Sequence, residues 1–323
     1  MINHTDPAIQ RLLESGDASI RYFTLTELLD QPADSPDVLA AQRRITRGPR
    51  IRILLAGQQP DGGFGVHPYQ KWTGAHWRLV SLVELGIPAH HRRARAAADQ
   101  VLRWLTGDAH RRAIKCINDL TRRCASQEGN ALAVCSRLGL ADDPRVKYLA
   151  QALVGWQWPD GGWNCDKDER AQHSSFYESL APLWGLGEYH HATSDADARD
   201  AARRAAQLFL RHRLFCSDKT GEVINPEWLQ LHYPLYWHYD ILQALVTLSG
   251  LGPLTDPRLR EALDILEAKR LPDGRWKPEG YYWSLSDKRA SNVEVVDWGR
   301  GGPNEMITLN ALRVLKAAGR LKA

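Results

Sequence analysis

The chain has 323 residues, 43% of them hydrophobic and 25% charged, and a formal net charge of +4. A chain of this size buries most of its unfolded surface without a disulfide staple, and its small, dispersed positive charge gives no reason to expect a nucleic-acid partner. MINHTDPAIQ lacks an apolar signal core, no stretch approaches the roughly 20 apolar residues of a membrane span, and the five cysteines are an odd number. These features lead to the expectation of a cytoplasmic protein without an integral membrane segment.

In chain order, residues 1–47 read as an N-terminal helical extension. Apolar runs at helical spacing then predict helices over 50–57, 73–85, 130–140, 177–186, 241–251 and 306–318. Several end in Leu-Gly, at Gly86, Gly139 and Gly252, where glycine past the last turn acts as the stop. Asp143-Pro144-Arg145 and Asp256-Pro257-Arg258 are near-copies that start further helices, with Asp capping and Pro in the first turn. The basic run His90, His91, Arg92, Arg93 and Arg95 reads as another solvated helix start. No period-2 run of strand length is found.

Between these helices one bend recurs. Gln59-Pro60-Asp61-Gly62-Gly63-Phe64 is repeated as Trp158-Pro159-Asp160-Gly161-Gly162-Trp163 and as Leu271-Pro272-Asp273-Gly274-Arg275-Trp276. Pro presets φ, Asp bonds its own downstream backbone, and Gly accepts positive φ. The separations of 99 and 113 residues each hold two units of about 50, so degenerate copies are expected near 115–123 and 217–228. The whole reads as one all-α domain of about five helix pairs. Residues 280–305, polar and glycine-rich, depart from the repeat and are a candidate lid carrying Asp297, Arg300 and Glu305.

Gln157-Trp158-Pro159-Asp160-Gly161-Gly162-Trp163 resembles the Q-x-x-x-G-x-W motif of the terpene cyclase and prenyltransferase repeat superfamily, and Gln58 to Phe64 is a looser copy. The chain is also similar to bacterial squalene cyclase-like proteins of about this size, in Lys71-Trp72-Thr73, Gly129-Asn130, Gly161 to Cys165, His238-Tyr239-Asp240 and Thr308 to Arg313. The resemblance implies an α/α toroid or barrel whose inner helices point their N-terminal ends at a central cavity. It implies an enzyme of cyclase or transferase type acting on a hydrophobic, isoprenoid-like small molecule. The D-x-D-D acid of such cyclases is absent, and the family's zinc motif is not reproduced in order.

On that fold, residues just after the bends or at inner helix starts are the site candidates. Cys124, Cys165 and His173 are soft or borderline ligands suited to zinc, with Asp240 completing or orienting the set. Asp240, His238, Glu178, Tyr177 and His76 are candidate acid–base groups. Trp72, Trp77, Trp237, Tyr236, Trp283 and Glu128 are candidates for lining the substrate cavity, where aromatic faces stabilise cations. The later turns of the inner helices read as apolar. Each candidate keeps a plainer reading as core packing, and two other functions stay open: a zinc-dependent enzyme of unrelated chemistry, and a non-catalytic helical-repeat binding module.

Overall fold

The recurrent bends are held by hydrogen bonds from their own residues. In the computed structural model, which describes residues 6–285 and 292–321, the Asp160 carboxylate accepts from the Gly162 and Ser174 backbone N–H groups at 3.4 and 2.7 Å. Gln157 donates to the Gly161 and Ala201 carbonyls at 2.8 and 2.9 Å, so it ties the bend to a later helix. Gln58 repeats this with Gly62 and Arg93 at 3.0 and 2.9 Å. Gly62 and Gly161 lie at φ +89° and +103°. A Cβ there would also fall 2.1 and 2.5 Å from a neighbouring helix carbonyl, so glycine is required twice over. The indoles of Trp163 and Trp276 donate to the carbonyls ten residues earlier, Leu153 and Leu266, at 2.9 and 2.8 Å. Their backbone N–H groups meet Ser179 Oγ and Thr308 Oγ1 at 3.0 and 3.1 Å. The bends are therefore equivalent in space as well as in sequence.

The chain is mostly helical. Helices α1 (Pro7–Leu13), α2 (Ala18–Phe23) and α3 (Pro36–Ile45) form the N-terminal extension, each started by a capping Asp6, Asp17 or Ser35. A π-helical turn, Thr24–Leu28, extends α2. There follow α4 (Pro49–Leu55), α5 (Ala75–Glu84), α6 (Arg92–Leu105), α7 (Asp108–Arg112), α8 (Ser126–Arg137), α9 (Pro144–Trp156), α10 (Phe176–Thr193), α11 (Ala196–Arg211), α12 (Ile241–Ser249), α13 (Arg260–Ala268) and α14 (Glu305–Ala317). Gly86 and Gly139 take φ +73° and +69° as helix stops. His91 caps α6, so the basic run is a helix start. Asp143 and Asp256 each accept the N–H two residues on at 2.9 Å.

Three expectations need correction. Residues 115–123 are not a bend copy but a hairpin, β1 (Lys115–Ile117) paired antiparallel with β2 (Leu120–Arg122). Asn118 and Asp119 turn it at φ 50° and 60°, angles that Asn and Asp tolerate in a two-residue loop. Strands of three residues are too short to show alternation. Residues 217–228 hold a Cys216–Val223 bridge and a 3₁₀ turn, Pro226–Leu229. Helix α10 also runs well past Leu186. Its Gly185 is a packing glycine inside the helix: a Cβ there would lie 2.3 Å from the Gly129 carbonyl oxygen of α8.

That contact sets the frame of the interior. Helices α8 and α10 run parallel, since Ser126 bonds Glu178, Gly129 touches Ala181 and Pro182, and Arg137 pairs with Glu188. Helix α5 lies beside α8, α12 packs on α10 and α14, and α14 packs on α2. Helices α6, α9 and α11 back α5, α8 and α10. Among the described residues, no helix is long and apolar enough to cross a membrane. The described part of 280–305 is anchored. Trp283, Val296 and Trp298 are buried, Trp72 N–H donates to the Val293 carbonyl at 3.2 Å, and Glu294 bonds the Val295 and Val296 N–H groups. The candidate lid also covers 286–291, which lie outside the described residues.

Candidate functional site

A cavity of about 640 Å³ lies between α5, α8, α10, α12, α14 and the end of α2. The lining runs from first turn to last on α8 and α14 and covers only the second half of α5. Ser126, Asn130 and Arg137 come from α8; Tyr177, Trp184 and Glu188 come from α10. The segment before α12 adds Leu235, Tyr236, Trp237 and His238. This volume is in the range of small-molecule pockets.

At the end formed by the first turns, the hairpin brings two thiols together. Arg122 bridges Asn164 in parallel, and Arg123 N–H donates to the Asn164 carbonyl at 3.0 Å. That registration sets Cys124 beside Cys165. Glu178, one turn into α10, accepts from Ser126 N–H and Oγ at 3.1 and 2.8 Å and lies 3.5 Å from Cys165 Sγ. One ligand atom from each of Cys124, Cys165 and Glu178 falls within 4.8 Å of the others. The Cys124 thiol is pushed up by its hydrogen bond to Cys165 and by burial, and Cys165 is held down by accepting that bond. Burial raises the Glu178 carboxyl, and burial with the nearby Glu178 charge raises Tyr69. His238 sits between Trp237 and Tyr282, at ring separations of 3.9 and 3.5 Å. Burial there, with His232 and Lys71 nearby, lowers its pKa to about 3.

The end formed by the last turns is charged, contrary to the expectation of apolar later turns. Arg137 pairs with Glu188 at 2.6 Å, Arg313 with Glu27 at 2.5 Å, and Lys316 with Asp30 at 2.6 Å. Tyr233 Oη donates to Glu84 at 3.0 Å. Burial pushes the Glu84 carboxyl up to about 7, against the pull of that bond, Arg137 and Arg313. Arg137, Glu188, Arg313 and Lys316 fall in the later turns of their helices, Glu84 ends α5, and Glu27 lies in the π-helical turn. That shared placement was the available signal.

The sequence candidates divide into three groups. Tyr177, Tyr236, Trp237 and His238 line the cavity. Glu178, Cys124 and Cys165 converge beside it, but His173 is exposed and stays outside that group, so Glu178 takes the place expected of it. The rest serve structure. Asp240 caps α12 through Gln243 N–H at 2.8 Å and holds His232 at 2.9 Å, fully buried. His76 is buried against Tyr69, Trp77 and Trp104, and desolvation lowers its pKa to about 3. Trp72 stacks on Tyr236 at 3.7 Å, and Trp77 and Trp283 are buried with their indole N–H groups bonded to carbonyls. Glu128 is buried in bonds to His110 and Arg123, both at 2.9 Å. Arg300 lies over Tyr281 and Trp283, Glu305 faces Arg50 at 3.9 Å, and Asp297 is an exposed turn residue bonded to Gly299 N–H.

Compared with protein-family models and with curated proteins, the chain finds no match.

Proposed function

We propose that the helix pairs form a closed α/α toroid and that the protein is an enzyme acting on a hydrophobic, isoprenoid-like small molecule held in its central cavity. The observation that carries this reading is the cavity itself: about 640 Å³, lined by residues of α5, α8, α10, α12 and α14. An aromatic end and a charged end suit an elongated molecule with a polar head. Arg137 and Arg313 would face that head, and Trp237 and Tyr236 the chain. The absence of D-x-D-D leaves the acid step to another carboxyl. Glu84, in the cavity wall with its pKa pushed up to about 7, is suited to donate a proton near neutral pH. His238, neutral in that pH range, is suited to hydrogen-bond a polar group of the bound molecule rather than to take up its proton. The free cysteines fit a reduced cytoplasm.

The test is a panel of polyprenyl alcohols and diphosphates, followed by tryptophan fluorescence and by product analysis. Binding and turnover are expected for at least one member. Ala181→Trp, which fills the cavity, abolishes binding, and Glu84→Gln lowers kcat by about 100-fold or more with KM little changed. Binding without turnover would favour the helical-repeat binding module. Equal behaviour of wild type and Ala181→Trp would remove the cavity reading altogether.

A further inference from the structure

Two thiols and a carboxylate meet beside the cavity without a cation of their own. The sulfurs and one Glu178 oxygen lie within 4.8 Å of one another. The nearest guanidinium, Arg123, is committed to Glu128, Gln127 and His110. Cys124 and Cys165 are partly accessible, unlike the buried Cys135 and Cys216. The cluster is supported from three sides. The hairpin fixes Cys124, the bend fixes Cys165, and the Ser126 N–H and hydroxyl fix Glu178. Tetrahedral zinc with bonds of about 2.3 Å to sulfur and about 2.0–2.2 Å to oxygen places those ligand atoms about 3.5 Å apart. Cys165 Sγ and Glu178 Oε1 stand at 3.5 Å.

We propose that Cys124, Cys165 and Glu178 form a zinc site of the three-ligand, open type beside the cavity. Glu178 in place of His173 changes the chemistry. A Cys₂Glu set with one open position is a Lewis acid that polarises a bound oxygen, whereas a closed four-ligand set is a structural clamp. Ser126, which bonds Glu178, also lines the cavity, so a group held at the open position borders the bound molecule. The site does not depend on what the cavity binds. Zinc binding is read without any organic ligand, so this inference and the cavity reading fail separately.

The full-length protein, purified with reductant, is stripped of metal and titrated with Zn²⁺ against a chromophoric chelator, and separately with Co²⁺. One equivalent of zinc and an intense thiolate-to-cobalt charge-transfer absorption are expected. Cys124→Ser, Cys165→Ser and Glu178→Gln should each weaken zinc binding by more than about 100-fold, beyond the 10–100-fold loss seen when a residue only orients a ligand. His173→Ala and Cys116→Ser should bind as wild type does. The inference is overturned if the wild type binds below a tenth of an equivalent, if cobalt gives no thiolate band, or if Cys165→Ser keeps wild-type affinity. Equal losses in His173→Ala and Glu178→Gln would also overturn the ligand set. The cobalt spectrum of the wild type decides even where a cysteine variant fails to fold.

Discussion

The two ends of the cavity are built from opposite turns of the same helices and solve burial differently. At the first-turn end, polar groups are held by rings and hydrogen bonds rather than by ion pairs: His238 lies between aromatic rings, Cys124 donates to Cys165, and Glu178 accepts from Ser126. At the last-turn end, full charges are paired: Arg137 with Glu188, Arg313 with Glu27, Lys316 with Asp30. Groups held by hydrogen bonds are adjustable, because a ligand or ion can replace their partners. Paired charges resist exchange, because removing one leaves the other uncompensated. The first-turn end is therefore the one expected to exchange partners with incoming groups, and the last-turn end the one expected to hold a polar head against fixed charges, with Glu84 beside them as the proposed proton donor.

The broadest way to break this contrast is to remove the frame both ends share. Gly129→Val would drive a side chain into the Pro182 backbone, 2.3 Å from where its Cβ must sit. A loss of about 3 kcal/mol or more is expected in urea unfolding. Next, the ends can be compared directly. Arg313→Met should cost roughly 1.5–3 kcal/mol by the same measurement, and adding Glu27→Gln should recover part of it. Glu178→Gln should cost less than about 1 kcal/mol, because an amide oxygen still accepts from Ser126. Equal costs at the two ends would erase the distinction.

Glu84 sharpens it through pH. Its folded pKa is about 7, above its ordinary 4.5. Between those values the folded state keeps a proton that the unfolded chain has released. Its stabilising effect is complete below about pH 4.5 and lost as pH rises through 7. Glu84→Gln should thus match wild type at pH 4 and exceed its melting temperature by a few degrees at pH 8. Glu294, also pushed up to about 7, leaves a residual slope in both proteins. The smallest effect is a null one. His238, at about 3, should show no titration in its ring proton shifts between pH 5 and 8; a midpoint near 6.5 would mean a hydrated ring.

Legibility in the sequence followed the range of the interactions. The bends at Asp61, Asp160 and Asp273, the caps at Asp143 and Asp256 and the stops at Gly86 and Gly139 were readable because each is satisfied within a few residues. Tryptophans were not sortable. Trp237 faces the cavity while Trp72, Trp77 and Trp283 pack the core, although all four follow similar local patterns. Asp240 was read as a candidate acid because it starts a helix, and that position is also what makes it a cap. His173 was read as a zinc ligand for its borderline softness, but it precedes α10 and is exposed, whereas Glu178, in the first turn of α10, lies beside Cys124 and Cys165.

The amino-acid sequence by itself determined a repeating helical chain, where its bends fall and which glycines they need, because proline, aspartate and glycine act on their own backbone. Only the tertiary structure decided that 126 meets 178, that 122 meets 164, and that Glu84, Arg137 and Arg313 share one depth. Those pairings join residues tens to hundreds of positions apart. They depend on how helices approach through Gly129 and Gly185, which no local pattern records.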